Sequence, residues 1–303
     1  MKEKLKIIKE VIPWLKEKSS PCLLCPRKCK VDRQEKLGFC KVQNNPFISG
    51  YGPHFGEESC LVGTGGSGTI FFSGCNLRCV FCQNFEISQL LEGNYITIEQ
   101  LAYAMLDLQK RGCHNINLVT PTHQILPILL ALEIAIEKGL NIPIVYNSSG
   151  YDDLECLKKL EGIIDIYMPD FKIWDKELSK RIVGAKDYAD IAKKAIKEMY
   201  RQVGDLIITK GIAQKGLMIR HLILPGNLED TYKILKFIRD EISENTYVNL
   251  MGHYHPCWKA YEHPPLDRKL KKDELKKALE IANEVGLKRL DKTHLALLAM
   301  ILE

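Results

Sequence analysis

The sequence predicts an α/β protein built around a parallel β-sheet. Strand-like and helix-like segments alternate six times between about residue 69 and residue 285. Pro143–Tyr146 and His221–Leu224 are continuous apolar runs, which are typical of strands covered by helices on both faces. Six successive strand–helix units favour a sheet wound in one direction. The pattern alone does not distinguish a barrel from an open doubly wound sheet.

The hydrophobic periodicity gives the elements in order. A first amphipathic helix is predicted from Lys2 to Lys18. The predicted strands are Thr69–Ser73, Ile116–Val119, Pro143–Asn147, Ile163–Met168, Arg220–Leu224 and Tyr247–Met251. The predicted helices are Ile98–Lys110, Ile125–Lys138, Asp153–Leu160, Ala189–Val203, Glu229–Glu241 and Asp273–Val285.

Composition excludes several classes of function. The 303 residues carry a mild net charge of +5 without a Lys/Arg block, so no nucleic-acid partner is predicted. No uncharged apolar run approaches the length of a membrane span, and the N-terminus lacks the apolar core of a secretion signal. Eleven cysteines without such a signal indicate a reducing compartment, and we expect a cytoplasmic protein.

The N-terminal region contains four closely spaced cysteines. Cys22, Cys25, Cys29 and Cys40 have the spacing Cys-x2-Cys-x3-Cys-x10-Cys, with proline and glycine nearby. Such spacing predicts a second metal site, which could hold zinc or an auxiliary iron–sulfur cluster. The glycine-rich segment Tyr51–Glu58 is interpreted as a loop that leads to the main domain.

A second group of cysteines directly follows the first predicted strand. Cys75, Cys79 and Cys82 are spaced Cys-x3-Cys-x2-Cys. Three thiolates in one loop favour soft-metal ligation, above all an iron–sulfur cluster. A four-iron cluster held by three cysteines keeps one iron open for a substrate or cofactor. Structural zinc, with a fourth ligand from Cys60 or Cys113, is the alternative, although zinc sites usually pair two distant Cys knuckles.

The motif Cys75-x3-Cys79-x-Phe81-Cys82 resembles the signature of the radical S-adenosylmethionine (radical SAM) family. The ending Cys82-Gln83-Asn84 is similar to the Cys-His-Asn of pyruvate formate-lyase activating enzymes. The resemblance implies a partial (β/α)6 TIM-type barrel, in which the open iron of a 4Fe-4S cluster chelates SAM. It also implies reductive cleavage of SAM to a 5′-deoxyadenosyl radical, with Phe81 beside the adenine. We expect a cysteine-rich module over residues 1–62, the barrel over 63–255, and a linker and terminal helix over 256–303.

In parallel barrels, functional residues lie at the C-terminal ends of the strands. By resemblance, these ends supply further contacts to SAM, to the substrate or to a bound cation. The candidates, together with the loop residue Asn84, are Thr120, Asn147, Ser149, Asp170, Lys172 and His221. After the last predicted strand, His253, His255 and Cys257 form either a metal site or a polar lid over the substrate channel.

Two functions are therefore considered. The first, implied by the resemblance, is a radical SAM enzyme that abstracts hydrogen from a protein or peptide, with a glycyl-radical-enzyme activase as the sharper hypothesis. Such an enzyme would receive electrons from a donor such as flavodoxin or ferredoxin. The second is an iron–sulfur redox sensor or electron-transfer protein that does not cleave SAM.

Overall fold

The computed structural model describes residues 1–291 and has a sheet of ten strands. The strands are β1 Phe47–His54, β2 Ser67–Phe72, β3 Asn94–Tyr95, β4 Ile116–Val119, β5 Ile144–Ser148, β6 Ile166–Pro169, β7 Ile207–Thr209, β8 Ile212–Leu222, β9 Tyr247–Met251 and β10 Arg289–Leu290. The helices are α1 Lys2–Ser19, α2 Ser59–Val62, α3 Phe85–Ser88, α4 Ile98–Lys110, α5 Ile125–Glu137, α6 Leu154–Lys159, α7 Lys176–Ile182, α8 Tyr188–Val203, α9 Leu228–Phe237 and α10 Lys272–Val285. Short 3-10 turns cover Thr122–Gln124 and Ala260–Glu262, and a π turn extends α9 over Ile238–Ile242.

The strand order confirms the predicted fold class. Strands β2, β4, β5, β6, β8 and β9 are parallel neighbours in chain order, and helices lie between successive members. Strands β10 and β3 are the two ends of this order, so the sheet is a partial barrel of six strand–helix units. Its strand ends converge at one mouth, as expected of parallel barrels.

Most predicted elements agree with the structure. Strands Ile116–Val119 and Tyr247–Met251 and helix Ile98–Lys110 have the predicted bounds. Strand β6 begins three residues later than predicted, because the amide of Ile163 donates to the carbonyl of Leu160 in a turn after α6. Strand β8 begins earlier than predicted, because its first residues pair with β7 in an antiparallel hairpin.

The interpretation of Tyr51–Glu58 as a loop is wrong for its first four residues. Strand β1 pairs with β2 in antiparallel register, with Tyr51 opposite Ile70 and His54 opposite Ser67. Its glycines and proline are typical of loops, so the strand cannot be predicted from the local sequence. Helix α7 was also not predicted; the side chain of Asp175 caps it by accepting a hydrogen bond from the amide of Leu178 (2.7 Å).

The barrel interior has an apolar lower end, which α2 closes. Cys60 and Leu61 of α2 are buried in one cluster with barrel residues Val145, Ile166, Met168, Leu206, Ala213 and Met218. Helix α1 packs outside the barrel against α5, and its Lys4 forms an ion pair with Asp165 (2.5 Å).

The predicted division into residues 1–62, 63–255 and 256–303 stays a prediction. The terminal helix is present as α10, whereas residues 292–303 of the predicted last segment lie outside the described residues. Within residues 1–291, no helix combines the length and the apolar character that crossing a membrane requires.

Candidate active site

The loop after β2 carries Cys75, Cys79 and Cys82 and is fixed by its backbone. The amide of Arg78 donates to the carbonyl of Val183 (3.0 Å), and that of Val80 to the carbonyl of Ile182 (2.9 Å), which anchors the loop to the end of α7. Gly74 begins the loop with φ = +79°. A Cβ at this position would come within 2.7 Å of a carbonyl oxygen of the N-terminal cysteine segment. Glycine therefore permits the close approach of the two cysteine-bearing segments.

The three thiols of this loop affect each other electrostatically, so they lie near one another. Burial raises the pKa of Cys75 to about 11 and also raises the pKa of Cys79. Both groups are therefore thiols at neutral pH unless a metal replaces their protons. The loop from Ser73 to Asn84 contains no Asp, Glu or His. Three soft sulfur donors without hard ligands fit an iron–sulfur cluster.

Across residues 1–291, no three His, Cys, Asp or Glu side chains converge on a position suited to a single metal ion. The cysteines of a four-iron cluster each bind a different iron atom. Their sulfurs therefore surround the cluster and need not meet at one point. The match of this loop to a four-iron cluster therefore rests on its three sulfur donors and on their position in one loop, and not on the geometry of a single-ion site.

A cavity of about 380 Å³ lies beside this loop, at the mouth of the barrel. Several residues predicted for the site line it: Cys79, Phe81, Cys82, Asn84, Asn147, Asp170 and Lys172. The parallel register explains how distant parts of the chain meet here. Asn147 on β5 lies opposite Met168 on β6, so the residues after each strand reach the same edge of the sheet.

Apart from the N-terminal cysteines, four predicted site residues do not line the cavity. Cys75 is nevertheless close enough to Lys172 and Cys82 to interact with them electrostatically. Thr120 has φ = +61° and donates its amide to the carbonyl of Asn147 (2.9 Å). The carbonyl of Ser149 accepts the hydroxyl of Tyr188 (2.8 Å).

His221 is the fourth of these residues and is buried behind the strand. Its ring nitrogens lie 2.7 Å from the carbonyl oxygen of Phe171 and 2.9 Å from the hydroxyl of Thr231. Burial lowers the pKa of His221, so the ring is neutral at physiological pH. Through these contacts, His221 holds β8 in place against α9 and the segment that follows β6.

Asp170 and Lys172 form an ion pair of 2.5 Å inside the cavity. Burial opposes the charge on each group, but Lys172 and Arg220 together hold the pKa of Asp170 below its usual value. Likewise, the pKa of Lys172 is raised, because Asp170 outweighs the effect of burial. Both groups are therefore charged at neutral pH, next to the cysteine loop.

Sequence reasoning missed the residue that links this pair to the rest of the cavity, Arg220. Its guanidinium contacts Asp170 (3.3 Å), Glu57 (3.1 Å) and Glu58 (3.9 Å). It also donates to the side-chain oxygen of Asn147 (2.5 Å). An arginine within an otherwise apolar parallel strand was the available signal, because a charge there must find buried partners.

The segment after β9 covers the cysteine loop. Trp258 stacks on Phe85 with ring centroids 5.0 Å apart, and the amide of Lys259 donates to the carbonyl of Val80 (2.9 Å). His253 lines the cavity. Cys257 lies close enough to Cys82 for the two thiols to interact electrostatically.

The N-terminal cysteines are also brought together. Cys25 interacts electrostatically with Cys22, Cys29 and Cys40, and burial is the main cause that raises its pKa to about 12. The backbone turns tightly between them. The amide of Cys22 donates to the carbonyl of Val31 (2.8 Å), and the amide of Lys30 donates to the carbonyl of Cys22 (3.0 Å).

Two arginines connect this segment to the main cysteine loop. Arg27 donates to the carbonyl of Asn76 (2.8 Å) and stacks on Phe39, with 3.9 Å between its guanidinium carbon and the ring centroid. The guanidinium carbon of Arg78 lies 4.4 Å from the centroid of the same ring, and its guanidinium donates to the carbonyl of Phe39. The two groups of cysteines are therefore neighbours in the structure.

Comparison with known proteins gives a family match over most of the barrel. The model of the Radical SAM superfamily matches residues 69–238. The chain is 36% identical over 275 residues to Uncharacterized protein MJ0674 of Methanocaldococcus jannaschii, covering 88% of this chain and 75% of that protein.

Solved structures give a weaker likeness. SuiB of Streptococcus suis bound to S-adenosylmethionine has a TM-score of 0.47 and 15% identity, over 69% of this chain and 44% of SuiB. Native anSMEcpe with bound AdoMet has a TM-score of 0.49 and 14% identity, over 70% of this chain and 57% of that one. The chain thus spans about half the length of these solved chains.

Proposed function

The chain belongs to the radical SAM superfamily, and on this basis we propose that it cleaves SAM reductively to abstract hydrogen from a protein or peptide. Family membership implies a 4Fe-4S cluster and SAM as cofactors. When bound and reduced, the cluster supplies one electron that cleaves SAM to methionine and a 5′-deoxyadenosyl radical. The finer proposal, carried by the Cys82-Gln83-Asn84 ending, is an activating-enzyme-like protein that acts on a glycine of a partner enzyme.

One observation carries the proposal. The loop with Cys75, Cys79 and Cys82 borders a cavity that also contains a charged Asp170–Lys172 pair. Cys75, Cys79 and Cys82 would hold the cluster beside this cavity and would leave one iron available to bind SAM. The pair offers a carboxylate and an ammonium to a zwitterionic amino acid group such as that of SAM.

The remaining residues orient the ligands and exclude water. Phe81 lines the cavity and contacts Tyr254 edge-on, with ring centroids 6.4 Å apart. An adenine ring would find an apolar surface there. Trp258 and its neighbours cover the cysteine loop, which restricts access of water and oxygen to it. Preventing side reactions in this way is the task of the protein in cofactor chemistry.

The test is anaerobic reconstitution with iron and sulfide, reduction with dithionite, and measurement of 5′-deoxyadenosine in the presence of SAM. We expect product from the wild type and none from the Cys75→Ser, Cys79→Ser and Cys82→Ser proteins. Full activity of the Cys79→Ser protein would refute the ligand assignment. The substrate is then sought by deuterium transfer from candidate partner proteins into 5′-deoxyadenosine.

A second candidate, an iron–sulfur redox protein that does not cleave SAM, is favoured by the position of Cys257. Its thiol interacts with Cys82 and could supply a fourth sulfur that closes the open iron. Cys257→Ala distinguishes the two functions. If the wild type binds a cluster but not SAM, and the variant gains SAM binding, the second function is correct.

We also propose that the N-terminal cysteines hold a second metal, either zinc or an auxiliary cluster. Their mutual proximity and burial support this proposal. Because no three side chains of residues 1–291 converge on a single-ion position, zinc would require these thiols to move closer together. Metal analysis of a protein with all four replaced by serine distinguishes the two, because loss of zinc or of four irons per chain is measured directly. Loss of Cys22 or Cys25 alone should reduce folding yield.

An electron donor such as flavodoxin or ferredoxin is the proposed redox partner. The proposed cytoplasmic location is supported by the free cysteines at both sites, because clustered thiols persist in reducing compartments. The partnership is tested by adding either donor to the reconstituted protein and monitoring reduction of the cluster through the change in its absorbance.

A further inference from the structure

The floor of the cavity is formed by chain that precedes the barrel. After β1, the chain turns into the lower opening, where α2 supplies the apolar plug described above. The amide group of Asn115 fixes this plug by donating to the carbonyl of Leu61 (2.9 Å). Glu57 and Glu58, directly before α2, line the cavity above the plug. Asn249 of β9 lines it at the same level, since it donates to Glu58 (2.7 Å).

Two oxygen acceptors of this floor lack a donor. Glu58 is 2% exposed and Asn249 is 1% exposed. Within residues 1–291, neither Glu58 Oε2 nor Asn249 Oδ1 has a hydrogen-bond partner. The two side chains are joined through Glu58 Oε1, so both unpaired oxygens belong to one hydrogen-bonded pair of side chains. A buried acceptor without a donor costs about 1–3 kcal/mol, and a ligand that supplies the donor would recover this cost.

The charges around the floor also do not balance. Glu57, Glu58 and Asp170 carry three negative charges when ionised, and Arg220 and Lys172 carry two positive ones. Burial, with a contribution from Glu58, raises the pKa of Glu57, so a proton on Glu57 offsets the excess when no cation is bound. Lys172 forms an ion pair with Asp170. The guanidinium of Arg220 is therefore the main cation for Glu57 and Glu58, and it contacts Asp170 as well. A plug that served stability alone would be apolar here, because buried ion pairs seldom stabilise more than apolar packing.

We propose that Glu57, Glu58 and Asn249 bind a cationic nitrogen group of the substrate, an ammonium or a guanidinium. The inference rests on the proposed function, because a substrate anchored at the floor would extend toward the cysteine loop. Both free oxygens then gain a charged donor, and the surplus negative charge is neutralised. A water molecule could donate to these oxygens but would not neutralise the negative charge. For the same reason, a neutral ligand should bind more weakly than a cation of equal shape.

The test uses the cluster-reconstituted protein saturated with SAM under anaerobic conditions. The probes are N-acetyl-lysine methylamide, n-butylamine and the uncharged N-acetyl-norleucine methylamide, and binding is measured by equilibrium dialysis. We expect the cations to bind about tenfold or more tightly than the norleucine derivative, as charged hydrogen bonds imply. Preference for the lysine derivative over butylamine indicates a peptide as the source of the cation, and equal binding indicates a free amine.

Glu58→Gln keeps the acceptor for Asn249 and removes the charge. We expect cation binding to weaken about tenfold or more and norleucine binding to stay unchanged. The SAM dissociation constant should change much less, because Glu58 acts on Asp170 only indirectly, through Arg220. Glu284→Gln, on the exposed face of α10, is the matched control and should change none of these values. The ligand-free Glu58→Gln protein should unfold at the same temperature as the wild type or higher.

Several results would overturn the inference. One is equal binding of charged and neutral probes; another is unchanged cation binding in Glu58→Gln. A loss of SAM binding as large as the loss of cation binding in that variant would assign the floor to SAM instead of the substrate. A variant that folds poorly, or unfolds at a lower temperature, would give Glu58 a structural role. A wild type that binds the cations but forms no 5′-deoxyadenosine contradicts the proposed function alone.

Discussion

Replacing Arg220 with methionine removes the one guanidinium that the buried carboxylates share. Methionine keeps much of the apolar stem, so the main change is the loss of charge. Asp170 retains Lys172 as its partner. Among residues 1–291, Glu57 has no other lysine or arginine partner, and Glu58 loses its contact at 3.9 Å.

The expected loss of stability follows from the protonation of these carboxylates. Each pH unit above an ordinary glutamate pKa of 4.5 makes protonation costlier by about 1.36 kcal/mol. At pH 7 a buried carboxylate can therefore be neutralised for about 3.4 kcal/mol, which limits the penalty for each group. Removing one partner of a buried pair typically costs about 3–5 kcal/mol. For 303 residues this lowers the unfolding temperature by about 5–8 °C.

Urea and thermal unfolding of the metal-free, reduced protein measure this loss at two pH values. At about pH 5 protonation of a glutamate costs only about 0.7 kcal/mol, so most of the deficit of Arg220→Met should disappear. Arg239→Met is the control, because its pair with Asp240 (2.8 Å) is exposed and should contribute about 0–1 kcal/mol. A deficit of equal size at both pH values would refute the reasoning, since lost packing rather than unpaired charge would then be its cause.

Three further predictions concern other parts of the chain. Burial lowers the pKa of His123 to about 3. The unfolded chain therefore binds a proton more readily, and the free energy of unfolding should fall by at most about 1.4 kcal/mol per pH unit as the pH drops from about 6.5 toward 3. Urea titrations of His123→Gln should show a weaker dependence on pH. Gly150→Ala should lower stability by about 1–3 kcal/mol in thermal unfolding, because φ is +75° and the new Cβ would lie 2.3 Å from the carbonyl oxygen of Asp170. Arg27→Ala removes the stacking on Phe39 and should speed limited proteolysis of the N-terminal cysteine segment, whereas unchanged cleavage would contradict this contact.

Much of the fold could be predicted because its strands and helices have strong local patterns. Helix α4 shows the helical period and a capping box formed by Thr97 and Gln100, and its bounds were predicted correctly. Strand β1 was missed because its stability comes from pairing with β2 and not from its own residues. The segment Tyr51–His54 contains glycine and proline, which disfavour strands when considered locally.

The candidate site also contains residues that a local sequence pattern reveals and residues whose position depends on long-range contacts. The cysteine loop could be found because its three sulfurs are close in sequence. Asp170 and Lys172 could be found because they follow a recognisable strand in a segment that resembles the Asp-x-Lys of activating enzymes. Glu57 and Glu58 carry no such pattern; two glutamates after a glycine-rich segment are usually solvated. Their burial depends on the entry of α2 into the barrel, which is a long-range contact that spacing along the chain does not encode.

Arg220 joins these two halves of the site, and its place follows from the sheet. It pairs with Asp170 across adjacent parallel strands, and its guanidinium reaches Glu57 from the chain before the barrel. The carboxylate that lies beside the cysteine loop and the carboxylates of the floor therefore share one cation. A charged group that binds at the floor changes the field at Arg220, and through it the field at Asp170 and Lys172, because all of them lie in a mostly buried cavity where screening by water is weak. Electrostatic coupling between the two ends of the cavity is thus a consequence of the fold itself.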